Sequence, residues 1–234
     1  MTLGKVGIVV AARTGSRRLP GKVLLPLRGM PMIVFLLRRL RPARGGVPIF
    51  ATTDLAADDM LAALVAEEGI AVFRGANEDV VARYVAAAEH FALDTVVRVT
   101  ADCPFVSAEL VDYCLESARG WETFDLVTTK TRFPVGLDAE IYRSQSMATL
   151  HRGNQLTQME REHLTLRYYN HKDAYDIRYV DPMVPWESSG THFTVDTGAD
   201  YARASRMAAE LPEGDISLAS VLQVARRHTQ NEAS

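Results

Sequence analysis

Cysteines and long apolar stretches are both scarce in this chain of 234 residues. The two cysteines, Cys103 and Cys114, match no zinc-binding spacing, and so few thiols favour a reducing compartment over a disulfide-stabilised secreted fold. No apolar run approaches the roughly 20 residues that cross a bilayer, and the first apolar run is too short for a secretory signal. We therefore expect a cytoplasmic protein without a membrane partner.

Positive charge is not in excess either, since 26 Lys and Arg residues stand against 29 Asp and Glu, a net charge of −3. The chain therefore has no overall basic field, and we expect no nucleic-acid partner. Its length and its 47% of hydrophobic residues suit one sizeable globular domain, and no linker or repeat divides it. We predict one domain over residues 1–228, with an irregular segment at about 124–190, and a frayed tail over 229–234.

Strand and helix patterns alternate along the first half of the chain. They predict an α/β fold, a three-layer sandwich in which helices cover both faces of a mostly parallel sheet. Asp54 and Ser107 are expected to cap the second and fourth helices. The predicted strands are 6–11, 47–53, 70–73 and 95–100, and the predicted helices are 31–41, 55–68, 77–92 and 107–118. The less regular second half adds strands at 124–129, 136–143, 176–180 and 192–195, and helices near Ser144, Glu160 and Gly198.

A basic loop, residues 12–22, directly follows the first predicted strand and carries four cations: Arg13, Arg17, Arg18 and Lys22. Its glycines allow backbone N–H groups to approach a ligand, and its cations suit phosphate oxygens. Parallel α/β sheets bind nucleotides at such strand ends, so a nucleoside triphosphate is the first candidate ligand. The glycine spacing matches neither the P-loop nor the dinucleotide fingerprint, and a solvated basic surface is the alternative.

Two aspartates are candidates for a metal site. Asp102 follows the predicted strand 95–100, and Asp196 follows the predicted strand 192–195. Two strand-end carboxylates could converge on Mg²⁺, which accepts a few protein oxygens together with water and substrate phosphates. For Asp102, a turn or capping role before Pro104 is the alternative.

Arg98 interrupts an otherwise apolar predicted strand, and a buried arginine almost always has a carboxylate partner. Asp138 or Glu140 could be that partner, which would make the role of Arg98 structural. Alternatively, Arg98 could face a ligand and bind the carboxylate or phosphate of an acceptor. The sequence leaves both interpretations open.

Eight short stretches carry a family resemblance, and they lie at residues 12–24, 51–54, 73–75, 79–84, 98–104, 133–140, 160–163 and 194–197. They resemble the cytidylyltransferase family that includes spore coat polysaccharide biosynthesis protein F, and more distantly the CMP-sialic acid and CMP-Kdo synthetases. The resemblance implies the nucleotide-diphospho-sugar transferase fold, which is GT-A-like. It also implies a Mg²⁺-dependent nucleotidyltransferase that joins CMP from CTP to an acidic sugar or related acceptor. Pyrophosphate would be released, and the product would serve surface polysaccharide or glycan biosynthesis.

The resemblance further implies roles for individual residues and a homodimer. Arg13 and Lys22 are expected to hold the triphosphate, and Asp102 and Asp196 to bind Mg²⁺; these four are the expected catalytic residues. The expected nucleotide-binding residues are Ala11, Ala12, Arg13, Gly15, Ser16, Lys22, Thr52, Asp54, Arg74, Gly75 and Ala101. The expected acceptor-binding residues are Arg98, Asp138, Glu140, Glu162 and His163. His163 or an acidic neighbour could serve as a general base, and no residue is assigned that role.

Two alternative functions remain at the level of sequence. The same chemistry could use another nucleotide, such as GTP, or a phosphorylated sugar or phosphonate as acceptor. The chain could also be a noncatalytic nucleotide-binding protein on this fold. The presence of two metal carboxylates, Asp102 and Asp196, argues against the second alternative, because a binding module does not need them.

Overall fold

A seven-stranded sheet forms the central layer of the computed structural model, which describes residues 2–183, 186, 191–214 and 217–232. The strands are β1 (Val6–Ala11), β2 (Pro26–Leu27), β3 (Met30–Pro31), β4 (Val47–Thr53), β5 (Ala71–Gly75), β6 (Thr95–Thr100), β7 (Leu126–Thr128), β8 (Glu140–Arg143) and β9 (Ile177–Tyr179). Their order across the sheet is β5-β4-β1-β6-β8-β7-β9, and β2 pairs with β3 separately.

The sheet is mostly parallel, as predicted. Strands β5, β4, β1 and β6 are parallel neighbours. Strand β8 runs antiparallel to both β6 and β7, and β9 returns parallel to β7. The carboxyl ends of the four parallel strands therefore lie along one edge of the sheet, where α/β folds bind their ligands.

Helices pack on both sides of the sheet, and β1 shows why its sequence is apolar without alternation. Ile8 and Val10 belong to one buried hydrophobic cluster, whereas Val9 between them belongs to a second. Because successive side chains of a strand point to opposite faces, both faces of β1 are covered. The helices are α1 (Met32–Leu40), α2 (Asp59–Glu67), α3 (Val80–His90), α4 (Ala108–Arg119), α5 (Ser144–Arg152), α6 (Gln158–Glu162), α7 (Leu166–Asn170), α8 (Gly198–Glu210) and α9 (Leu218–Glu232).

One of the two predicted helix caps is confirmed. The Ser107 hydroxyl accepts a hydrogen bond from the backbone N–H of Leu110 at the start of α4. The prediction that Asp54 caps the second helix is wrong, because a 3-10 turn over Ala56–Asp58 precedes α2 and has Leu55 at its N-cap.

The second half differs from the prediction in its details. Residues 192–195 form no strand: Phe193 N donates to Val135 O at 2.7 Å and Val195 N to Asp102 O at 2.8 Å, and both partners lie in loops. The segment is strand-like in composition because apolar Phe193 and Val195 are buried and alternate with more exposed residues, yet it lies outside the sheet. Helix α9 was not predicted, and it includes residues 229–232 of the expected frayed tail. Residues 233 and 234 of that tail, and 184, 185 and 187–190 of the irregular segment, lie outside the described residues.

The structure also describes the two cysteines and shows whether any helix could span a membrane. Cys103 and Cys114 are both buried free thiols, and burial raises the pKa of each. Among the described residues, none of the helices is both long enough and apolar enough to cross a membrane.

Candidate active site

A strand-end pocket of about 350 Å³ opens at the carboxyl edge of β1 and β6. It is a partly open cleft, formed mainly by the basic loop, the ends of these strands and the first turns of α3. Twelve of the predicted catalytic, nucleotide-binding and acceptor-binding residues line it: Ala11, Ala12, Arg13, Gly15, Ser16, Lys22, Arg98, Ala101, Asp102, Glu162, His163 and Asp196.

Lys22 joins the two candidate metal carboxylates in this pocket. Its Nζ donates to Asp102 Oδ2 at 3.0 Å, to Asp196 Oδ1 at 2.9 Å and to the carbonyl of Val195 at 2.9 Å. Asp102 comes from the end of β6, and the backbone bond from Val195 N to Asp102 O draws the segment before Asp196 against it. The structure therefore brings together three side chains that lie far apart in the sequence.

Positive charge balances these two carboxylates. Burial alone would lower the pKa of Lys22, but Asp102 and Asp196 outweigh that effect and raise it, so the ammonium stays charged at neutral pH. Arg18, an exposed cation of the basic loop, places Nη2 at 2.7 Å from Asp196 Oδ1. Two cations therefore neutralise the two carboxylates in the protein alone.

The donor set at this point suits Mg²⁺. The described residues contain no cluster of three or more His, Cys, Asp or Glu side chains that could form an all-protein metal cage. Asp102 and Asp196 instead offer two carboxylates that are about a quarter exposed to the pocket. Mg²⁺ commonly takes one or two carboxylates and completes its shell with waters and substrate phosphates.

Asp58 anchors the basic loop by binding Thr14, and the sequence analysis did not identify this residue. Its Oδ1 accepts bonds from Thr14 N at 2.8 Å and Thr14 Oγ1 at 2.7 Å, and its Oδ2 accepts from the Thr53 hydroxyl. Burial alone would raise the pKa of Asp58, but these hydrogen bonds lower it and keep the carboxylate charged. Because Thr14 and Asp58 are 44 residues apart, no local pattern could have indicated their contact.

Arg98 faces the pocket while Glu140 lies behind it. These two residues are direct register partners on β6 and β8, and their side chains form an ion pair. Glu140 is only 1% exposed and also accepts bonds from Lys130 at 3.0 Å, Tyr169 at 2.7 Å and Thr165 at 2.9 Å. Glu140 is therefore saturated by protein donors and holds Arg98 in place. Of the two partners considered for Arg98, the structure shows Glu140, and Arg98 also lines the pocket.

The Glu140 network predicts acid sensitivity. Burial alone would raise the pKa of Glu140, but Arg98, Lys130 and the Tyr169 hydrogen bond lower it from 4.5 to about 2. Since the folded-state pKa is the lower one, this contribution to stability is complete above about pH 4.5 and is lost as the pH falls towards 2. We expect the loss to reach about 3 kcal/mol in the free energy of unfolding.

Chemical denaturation of wild type and Glu140→Gln between pH 7 and pH 2 measures this effect. The variant should be less stable at pH 7 by about 3–5 kcal/mol, because it leaves the partly buried Arg98 and the donors around residue 140 without their buried charged partner. It should also lack the Glu140 part of the pH dependence. Parallel stability profiles for the two proteins would contradict the ionised network.

Six predicted site residues do not line the described pocket. Thr52 and Glu140 are buried beneath it, and Asp138 turns to its own loop, where it accepts from Gly136 N at 3.0 Å. Arg74 pairs with Asp59 at 2.6 Å and donates to the Thr53 carbonyl at 2.9 Å. Asp54 and Gly75, at the ends of β4 and β5, are joined through a backbone bond.

Helix α3 contributes pocket residues that the sequence analysis did not assign. Val80, Arg83 and Tyr84 all line the pocket, and Arg83 is only 3% exposed. The signal was present, because all three lie in the 79–84 stretch that carried the family resemblance. Asp79 caps this helix by accepting from Ala82 N at 2.7 Å, and it also binds Arg161 of α6 at 2.7 Å.

A larger groove, of about 990 Å³, lies elsewhere, along α4 and beside Trp186. Its carboxylate Asp112 is used structurally, because it accepts backbone bonds from Arg44 and Gly45. Neither the basic loop nor the aspartate pair Asp102 and Asp196 lines this groove. We therefore assign the chemistry to the smaller pocket.

A mostly parallel α/β sheet with a cationic loop and a pair of carboxylates at its carboxyl edge defines a nucleotide-binding class of protein. The chain belongs to the cytidylyltransferase family, whose model matches residues 7–213. It is accordingly a nucleotidyltransferase, and the resemblance inferred from the sequence is confirmed.

Individual relatives agree with this assignment. Spore coat polysaccharide biosynthesis protein SpsF of Bacillus subtilis (strain 168) is 30% identical over 96% of this chain and 97% of its own length. The structure of a cytidylyltransferase from Leptospira borgpetersenii covers 98% of this chain and 96% of its own, with a TM-score of 0.88 and 26% identity. A CMP:2-keto-3-deoxy-manno-octonic acid synthetase solved with CTP shares the fold, with a TM-score of 0.68, 21% identity and coverage of 88% and 99%.

Proposed function

We propose that this protein is a Mg²⁺-dependent cytidylyltransferase that joins CMP from CTP to an acidic sugar or related acceptor, with release of pyrophosphate. The observation that carries the proposal is the contact of Lys22 with both Asp102 and Asp196 beside the basic loop. The name of SpsF supports a role in surface polysaccharide or glycan biosynthesis. The CTP bound to the synthetase of the same fold supports CTP as the nucleotide.

The charges of the basic loop indicate where the triphosphate would bind in the pocket. Attack on the α-phosphorus builds negative charge on its non-bridging oxygens and on the departing pyrophosphate. Arg13 and Lys22, with the backbone N–H of Gly15, line the pocket and would bind and orient those oxygens. Asp102 and Asp196 would hold Mg²⁺, which when bound neutralises developing phosphate charge.

The acceptor would bind around Arg98, where Glu162 and His163 also line the pocket. A guanidinium held by Glu140 from behind can present its remaining N–H groups to a carboxylate, and such pairs orient their ligands strongly. The same groups would also bind a phosphate or a phosphonate. By resemblance, the proposal includes a homodimer in the cytoplasm, formed through the segment between β6 and Asp196.

A nucleotide and acceptor panel tests the proposal. The protein is incubated with CTP, UTP, ATP or GTP and Mg²⁺, together with acidic sugars, phosphorylated sugars or phosphonates, and pyrophosphate release is measured. We expect release with CTP and an acidic sugar, and none when the acceptor is omitted or EDTA is added. Preference for GTP or for a phosphorylated acceptor would replace the corresponding part of the proposal. No release with any combination would contradict the enzymatic role.

A further inference from the structure

Arg83 is a buried guanidinium with an unused hydrogen-bonding edge, and it lines the strand-end pocket. Its Nη1 donates to the carbonyl of Ala76 at 2.7 Å, whereas its buried Nε has no hydrogen-bond partner among the described residues. Asp58 and Asp54 act on Arg83 through space, and burial lowers the pKa of its side chain. Arginine is almost never fully buried without a carboxylate partner, and the acceptor that Arg83 binds is only a carbonyl, so this arrangement is unfavourable for the protein alone.

The free edge of Arg83 has a defined shape. In arginine, Nε–H and one N–H of Nη2 point the same way and form a two-pronged donor. Arg38 uses that edge on Glu68, with Nε at 2.9 Å and Nη2 at 2.8 Å from the two carboxylate oxygens. In Arg83, the bond to the Ala76 carbonyl comes from Nη1, which lies on the opposite side of the guanidinium from this edge. The Nε–Nη2 edge therefore remains for a ligand with two adjacent acceptors.

The position of Arg83 indicates which part of a nucleotide it meets. The Lys22 contacts with Asp102 and Asp196 lie at the β6 side of β1. Arg83 is held from the other side, because Ala76 directly follows β5, which lies beyond β4 in the sheet. Arg13 lies between the two ends, with Nη1 at 3.1 Å from the carbonyl and from the side-chain oxygen of Asn77. With the triphosphate at the β6 end, the base of the nucleotide extends towards Arg83.

We propose that Arg83 is a specificity-determining residue that reads the base, with its Nε–Nη2 edge donating to O2 and N3 of cytosine. The inference rests on the proposed function and names the group that selects the nucleotide. Cytosine has two adjacent acceptors, O2 and N3, whereas N3 of uracil carries a hydrogen. With uracil, the N3–H donor of the base would face an N–H donor of Arg83. A site built on buried donors discriminates strongly against such a mismatch.

Equilibrium binding of CTP and UTP, in the presence of Mg²⁺ and without an acceptor, tests the inference by calorimetry. Wild type should bind CTP more tightly than UTP, and Arg83→Gln should reduce the ratio of the two dissociation constants at least about tenfold. Arg83→Lys keeps the charge but loses the two-pronged edge, and should reduce the ratio similarly. Arg39→Gln is the matched control, because Arg39 is 1% exposed and donates to the Phe105 carbonyl at 3.0 Å in the other groove. It should leave the ratio unchanged.

A second measurement uses only the wild-type protein, so that it does not depend on the folding of a variant. The triphosphate of 3-deazacytidine, in which N3 is replaced by C–H, should bind at least about tenfold more weakly than CTP. Equal binding of CTP and this analogue, or an unchanged CTP-to-UTP ratio in a folded Arg83 variant, would overturn the role of Arg83. Absence of any nucleotide binding by wild type would instead overturn the proposed function.

Discussion

Replacing Asp102 with asparagine should reduce turnover at least about 10²-fold while leaving the protein folded. The change removes one of the two carboxylates that would hold Mg²⁺ but conserves the size of the side chain. Lys22 keeps its contacts with Asp196 and the Val195 carbonyl, so the local packing has little reason to change. Pyrophosphate release, at increasing Mg²⁺ concentration and with the acceptor identified by the panel, measures the first effect. Thermal unfolding measures the second.

Asp112→Asn provides the matched control for this experiment. Asp112 accepts backbone bonds from Arg44 at 3.0 Å and Gly45 at 2.8 Å, and it lies outside the strand-end pocket. Its replacement should lower the melting temperature and leave turnover unchanged, the reverse of the result for Asp102. Normal turnover of Asp102→Asn at ordinary Mg²⁺ concentration would refute the metal-binding role.

Gly136→Ala should damage both stability and nucleotide binding, because Gly136 supports the segment that carries Asp196. Its φ of +90° disfavours any side chain, and an added Cβ would lie 2.6 Å from the carbonyl carbon of Phe193 and closer still to Thr194 N. Those neighbours are backbone atoms, held by the bonds of Phe193 to Val135 and of Val195 to Asp102. Relief of the clash therefore shifts the chain leading to Asp196. We expect a loss of about 2–4 kcal/mol in the free energy of unfolding.

Gly29→Ala separates this packing effect from backbone strain. Gly29 also has a positive φ, +76°, but nothing lies within 4 Å of its added Cβ. It should cost only about 1 kcal/mol and leave Mg²⁺-dependent CTP binding unchanged. Denaturant unfolding and calorimetry compare the two variants. If Gly136→Ala resembled Gly29→Ala in both measurements, the contact with residues 193–194 would not position Asp196.

The first half of the fold was predictable because three of its strands, β1, β4 and β6, are buried on both faces. Strands β1, β4 and β6 match their predicted ranges, since each is an apolar run between polar turns and its signal is local. The second half has short strands joined by long loops, so composition alone misassigned residues 192–195. That segment satisfies its backbone through loop partners at Val135 and Asp102, which no local pattern indicates.

The candidate site was likewise predictable from the sequence only in part. Residue type, predicted strand ends and the family resemblance selected Arg13, Lys22, Asp102 and Asp196, and all four line one pocket, although the strand predicted before Asp196 is absent. They could not show that Glu140 lies behind Arg98, because that depends on the register of β8 against β6. Nor could they show the anchoring of Thr14 by Asp58, or the burial of Arg83 at the pocket wall.

By itself the sequence determined the α/β class, the basic loop after the first strand, and the family to which the chain belongs. These features depend on residues that are close together in the chain, where periodicity and spacing carry the information. Only the tertiary structure decided which charges meet: Lys22 contacts carboxylates 80 and 174 residues away. The physical reason is that such contacts depend on how strands order and register in the sheet, and on backbone bonds such as that from Val195 to Asp102.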